Sequence, residues 1–258
     1  NSGAAMLANF GQGTTCSDND FSDSNGKGRF NYQPPTGFLS ICDDNLPKPA
    51  IKEPSDYFTV VDWNGDNNYN RLIETGFQPD FVWNRRPNLD GAGWFMVDAV
   101  RGATKVMYSD RSNAESTESN HILSFDSTGF RVGNDGNVNN TAYDYIALAF
   151  KGGNGSQSLT DGSVNATVSA NQTAGFSIVS YNSGSSGEKS VAHGLGKKPK
   201  FVITKSRDSG SFNWAVYVNN FGNLNNFLRL NTVDTVVNNG SSIWGNSSGW
   251  NDTTFGIT

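Results

Sequence analysis

The chain has 258 residues, 35% of them hydrophobic and 12% aromatic, with 29 glycines and a net charge of −5. That length suits one large or two modest cores, and the low apolar share means that burial rests on Phe, Trp and Tyr. No Lys/Arg run exceeds Lys197-Lys198, which argues against a phosphate-tracking nucleic-acid surface, and no stretch of about 18 apolar residues offers a membrane-spanning helix.

Residues 1–10 lack the basic and long apolar regions of a secretory signal. Asp18, Asp20 and Asp23 then set hard oxygen donors at alternating spacing, as do Asp62 and Asp66 further on. All five are candidate calcium ligands, although neither group has the distal bidentate Glu of an EF-hand loop. The competing reading makes them turn residues that cap local N–H groups. No cofactor other than calcium is expected. Cys16 and Cys42 are the only cysteines, and their spacing alone does not give the Cα separation a disulfide demands. Leu46-Pro47-Lys48-Pro49 reads as a stiff connector.

From residue 57 onwards the chain repeats itself, and self-similarity decides architecture before any local motif does. The alternating run Tyr57-Phe58-Thr59-Val60-Val61-Asp62-Trp63 is matched by Gly175-Phe176-Ser177-Ile178-Val179-Ser180-Tyr181. Gly76-Phe77-Gln78-Pro79-Asp80-Phe81-Val82-Trp83 is matched by Gly196-Lys197-Lys198-Pro199-Lys200-Phe201-Val202-Ile203, an offset of 120 that also pairs Trp94 with Trp214. Ser127-Thr128-Gly129-Phe130 returns as Asp252-Thr253-Thr254-Phe255 at an offset of 125. Short runs of β-branched and aromatic residues between Gly, Pro and Asn turns predict strands. The expected fold is therefore all-β, in tandem antiparallel β-sandwich units of jelly-roll or concanavalin A-like type, with core indoles at Trp94 and Trp214.

The expected organisation is residues 1–47 as the end of a preceding domain, 48–153 as the first sandwich, 154–174 as a linker with some strand content, and 175–258 as the second sandwich. Tyr143-Asp144-Tyr145-Ile146-Ala147-Leu148-Ala149-Phe150 closes the first unit and has no counterpart in the second. Polypeptide beyond Thr258, or a strand from another chain, is expected to supply it, because an unpaired sheet edge attracts a partner.

Candidate chemistry is sparse. His121 and His193 are the only histidines, with no Cys-x-x-Cys or His-x-x-x-His spacing, and both read as exposed loop residues. Arg101 is either a clamp for a sugar or carboxylate, or the partner of Asp98 in tying a strand end to a turn. Trp63, Trp244 and Trp250 lie among polar residues and are candidate sugar-stacking aromatics, with a core role as the alternative. No catalytic residue is expected, although acidic residues in turns leave a glycosidase-like pair open.

Asn9-Phe10-Gly11-Gln12, Phe30-Asn31-Tyr32-Gln33-Pro34-Pro35-Thr36-Gly37-Phe38 and Asp44-Asn45-Leu46-Pro47 together resemble the C-terminal end of SPRY-like, concanavalin A-like domains of phage structural proteins. Thr75-Gly76-Phe77-Gln78-Pro79-Asp80, Asp98-Ala99-Val100-Arg101-Gly102-Ala103-Thr104-Lys105 and Ser124-Phe125-Asp126-Ser127-Thr128-Gly129-Phe130 resemble the repeats that follow them. The Asp98–Lys105 motif is the most specific element, and the second unit departs from it at Val218-Asn219-Asn220-Phe221-Gly222. The resemblance implies a non-enzymatic structural and adhesive virion component of tail-fibre type, homo-oligomeric, in contact with other virion proteins or a host surface glycan. A capsid decoration or head fibre protein and a polysaccharide depolymerase are the alternatives.

Overall fold

The computed structural model describes residues 21–240, 243–245 and 247–258. The chain divides into two compact units, Asn1–Lys52 and Glu53–Thr258. In the first, Phe21 and Phe30 form an antiparallel bridge, and the buried Asp23 carboxylate accepts N–H bonds from Asn25, Lys27 and Ser40 and from the Asn45 side chain.

The larger unit is all-β. Its first part runs β1 (Phe58–Asn64), β2 (Arg71–Glu74), β3 (Phe81–Arg85), β4 (Phe95–Asp98), β5 (Gly102–Tyr108), β6 (Ser116–Thr117), β7 (Ile122–Asp126), β8 (Gly129–Val132) and β9 (Asp144–Phe150). These strands form a six-stranded sheet, β1-β9-β3-β4-β5-β6, and a three-stranded sheet, β2-β8-β7. The two sheets bury Trp63, Val82, Phe95, Phe130 and Tyr145 between them. Period-two alternation explains β9: Tyr145, Ala147 and Ala149 are buried, while Ile146, Leu148 and Phe150 are half-buried on the other face. Trp63 stacks on Tyr145 with ring centroids 5.4 Å apart and meets the edge of Phe130 at 5.8 Å.

The second part runs β10 (Gln157–Leu159), β11 (Ala166–Asn171), β12 (Phe176–Tyr181), β13 (Lys189–Ala192), β14 (Phe201–Thr204), β15 (Ala215–Val218), β16 (Asn226–Arg229), β17 (Val237–Asn238) and β18 (Thr254–Ile257). Its sheets are β10-β11-β12, β13-β18 and β14-β15-β16-β17, around a core with Val168, Val191, Tyr217, Trp244, Trp250 and Phe255. The span 154–174, expected as a linker, thus carries two strands, and Val168 on β11 is fully buried.

The duplication holds at the level of backbone register. On β3 and β4, Val82 faces Val97 and Asn84 faces Phe95; on β14 and β15, Val202 faces Tyr217 and Thr204 faces Ala215, each 120 residues later. Ile73 faces Phe130 across β2 and β8, and Val191 faces Phe255 across β13 and β18. The Ala99 N–H donates to the Asp80 carbonyl at 2.8 Å, and the Asn219 N–H donates to the Lys200 carbonyl at 2.8 Å.

One expectation is corrected. Trp94 and Trp214 occupy matching backbone positions, but neither is the core indole of its own sandwich. Adjacent strand residues point to opposite faces, so the inward aromatic of the first unit is Phe95, which is 1% exposed. Trp94 lies half-buried with its ring 5.9 Å from Trp83. Trp214 packs with Met96 and Met107 of the first sandwich and donates its indole N–H to the carbonyls of Tyr108 and Arg111. The same position in the repeat therefore serves two surroundings.

Asp80 fastens the junction between the sandwiches. Its fully buried carboxylate accepts the N–H groups of Gly152 (2.9 Å), Asn154 (3.1 Å) and Gly155 (3.2 Å) and the Ser169 hydroxyl (3.2 Å). Gly152 is required there, since a Cβ would lie 2.6 Å from the Ser169 oxygen. Asp80→Ala strands these donors away from water and is expected to cost roughly 3 kcal/mol, read as a lower denaturation midpoint with an unchanged slope.

Candidate functional site

A groove of about 1770 Å³ is walled by the whole of β12 and β14 and reaches the first sandwich. Its floor includes Ala215, Phe227 and Phe255, and its outer side includes Phe81, Met96 and Phe150 of the first sandwich. β12 pairs only with β11 and β14 only with β15 among the described residues, so the edges facing the groove carry unpaired backbone donors and acceptors. Every residue of β12 is half-buried, and Phe201 at the start of β14 is 58% exposed. Between these walls the Tyr181 and Thr204 hydroxyls meet at 3.3 Å. Lys197, Lys198 and Lys200 precede β14, and Lys205 and Arg207 follow it. Chemically, the groove offers backbone hydrogen bonding along two edges and apolar area beneath.

An ionic chain forms part of its lining. The Arg101 guanidinium donates to Asp98 (2.5 Å), to Glu115 (3.1 Å) and to the Met96 carbonyl (3.2 Å). Arg207 grips Glu115 through two N–H donors, both at 2.9 Å, and donates a third to Ser180 on β12. Burial by itself would raise the Glu115 carboxyl, but hydrogen bonds from Arg207 and Arg101 outweigh it and hold the group below its ordinary value. Glu115 thereby joins the β5–β6 side of the first sandwich to the loop after β14.

The DUF7483 family, described as a domain of unknown function, matches residues 53–258. The chain belongs to this family. The matched span coincides with the compact unit Glu53–Thr258, so groove and ionic chain both lie inside the DUF7483 domain. No curated protein and no solved structure matches the chain.

The DUF7483 domain places the expected site residues as follows. Trp63, Trp244 and Trp250 are 6%, 0% and 4% exposed, and all three belong to the hydrophobic cores. An indole enclosed on both faces has none to offer a sugar, so the stacking role is corrected to a core role. Arg101, 8% exposed at its side chain, is consumed by Asp98 and Glu115 rather than free to clamp a ligand. Asp66 accepts the Asn68 N–H and the Asn139 side-chain amide and pairs with Arg71 at 3.3 Å, while Asp62 is exposed on β1. Asp23, in the smaller unit, directs both oxygens at N–H donors. Asp66 and Asp23 act as caps, and among the described residues no group of three or more His, Cys, Asp or Glu converges. Asp18, Asp20 and Cys16 lie outside the described residues.

Both histidines are corrected from exposed to buried, each 2% exposed. The His121 ring lies against Phe95 and meets Asp135 and Asn137. His193 accepts the Leu195 N–H and faces the Asn251 carbonyl. The groove was missed because it is walled by the edges of two strands and not marked by a reactive side chain; the unmatched Tyr143–Phe150 run was its one sequence signal.

Two predictions follow from these burials. Desolvation lowers the pKa of His121 and His193 below the ordinary 6.5, so the unfolded chain binds more protons below that pH. Stability measured in urea is expected to be level above pH 6.5 and to decline below it, with a shallower decline in an H121Q/H193Q variant. Glu115→Ala is expected to cost roughly 2 kcal/mol at pH 7. Because the Glu115 carboxyl is depressed below 4.5, the gap from wild type should close as pH falls through its folded value.

Proposed function

We propose that this chain is a non-enzymatic structural and adhesive component of a bacteriophage virion, of tail-fibre type. The reading rests on where its reactive side chains go. Arg101, Glu115, Arg207, Asp80 and both histidines are committed to fastening sheets and loops, and Trp63, Trp244 and Trp250 fill cores. A module whose polar and aromatic groups are spent on rigidity serves as a spacer or platform, with recognition left to edges and loops. The likeness of the Asp98–Lys105 motif and of residues 30–47 to phage structural proteins supports the same reading. Copies arranged in a symmetric assembly would add avidity to modest contacts with a host glycan or with neighbouring virion proteins.

Antibody labelling of purified particles tests this: signal on a tail appendage is the expected result, and signal confined to the head, or none, refutes it. The purified chain is also expected to bind host envelopes without releasing reducing ends from their polysaccharide. Release that one acidic substitution abolishes would make it a depolymerase.

A further inference from the structure

We infer that the groove between β12 and β14 is a receptor for one additional β-strand: an extended polypeptide patterned as β9 is, with one aromatic followed by small residues facing the core and large apolar residues on the alternate face. The first sandwich supplies the template. There β9 lies between β1 and β3, antiparallel to both, with Phe150 facing Phe58 and Phe81, and Ala149 facing Thr59 and Val82. The repeat carries Phe58 to Phe176 and Phe81 to Phe201, so the walls of the groove are the duplicates of the two strands that flank β9. No strand fills that place among the described residues.

Exposure of the walls points the same way. Val82 and Asn84 are fully buried on β3, whereas Val202 and Thr204, their duplicates on β14, are only half-buried. The core beneath, with Phe227 and Phe255, opens into the groove. A strand paired with both walls would stand about 4.8 Å from each. The Tyr181–Thr204 contact lies at the positions of Trp63 and Asn84, which β9 meets with Tyr145 and Ala147 respectively. By that template the occupant carries a small residue beside Thr204 and an aromatic one beside Tyr181. Its outward residues would meet Phe81, Met96 and Phe150 of the first sandwich, which line the groove's outer side. Recognition by strand addition draws affinity from backbone pairing and selectivity from the alternate side chains.

The test appends the sequence of residues 133–151 after Thr258, reproducing the connection between β8 and β9, with a scrambled strand as control. The expected result is at least about tenfold slower amide exchange along β12 and β14, together with a higher melting temperature, for the native order only. Phe201→Ala, at an exposed position that leaves the unextended fold intact, should reduce that gain. Equal protection by the scrambled strand, or no protection by either, overturns the proposal. Protection of the same amides in the unextended chain through self-association also overturns it, and assigns the groove to a second copy.

Discussion

Strand β9 holds the first sandwich shut, pairing with β1 over seven residues and with β3 over five. Each pairing satisfies backbone groups that would otherwise sit unbonded at the margin of a core, and a buried unpaired donor costs more than a made bond returns. The same strand sends Tyr145 inward to stack on Trp63 and Phe150 outward to stack on Phe176, with ring centroids 5.1 Å apart. One strand thus closes a sheet, completes a core and begins the contact with the next sandwich.

In the second sandwich no strand stands at the place of β9 among the described residues. Its sheet divides between β12 and β14, and β12 turns its other edge to β11, which is drawn from the span between the repeats. Its core is aromatic: Trp250 lies with Tyr217, Trp244 and Phe255 around it at 4.3 to 6.0 Å. The two sandwiches are then fastened to each other by unlike means, an apolar patch of Met96, Met107 and Trp214, the Glu115 ionic chain, and the Asp80 carboxylate that caps the junction. Lys200 stands at the duplicate of Asp80 and cannot accept N–H bonds, so this capping occurs once.

Much of the candidate site was legible before the fold was known, but in negative form. Aligning the repeat identified the strand that had no counterpart, while its two neighbours emerged only from the fold. The alignment did not show that the vacancy would hold a groove open onto the core, since that depends on how far β12 and β14 remain apart. The aromatic and charged candidates misled for a single reason: polar sequence neighbours do not imply exposure when alternation turns Trp63 inward and its neighbours Asp62 and Asn64 outward.

The sequence by itself determined the all-β class, the tandem repeat and its register, because period-two alternation and Gly/Pro turns are local properties that each segment carries alone. Only tertiary structure decided that Trp94 and Trp214 serve different surroundings, that both histidines are buried, and that Arg101 belongs to a chain of ion pairs crossing between sandwiches. Those outcomes depend on which distant strand arrives opposite each side chain, and no local spacing encodes that.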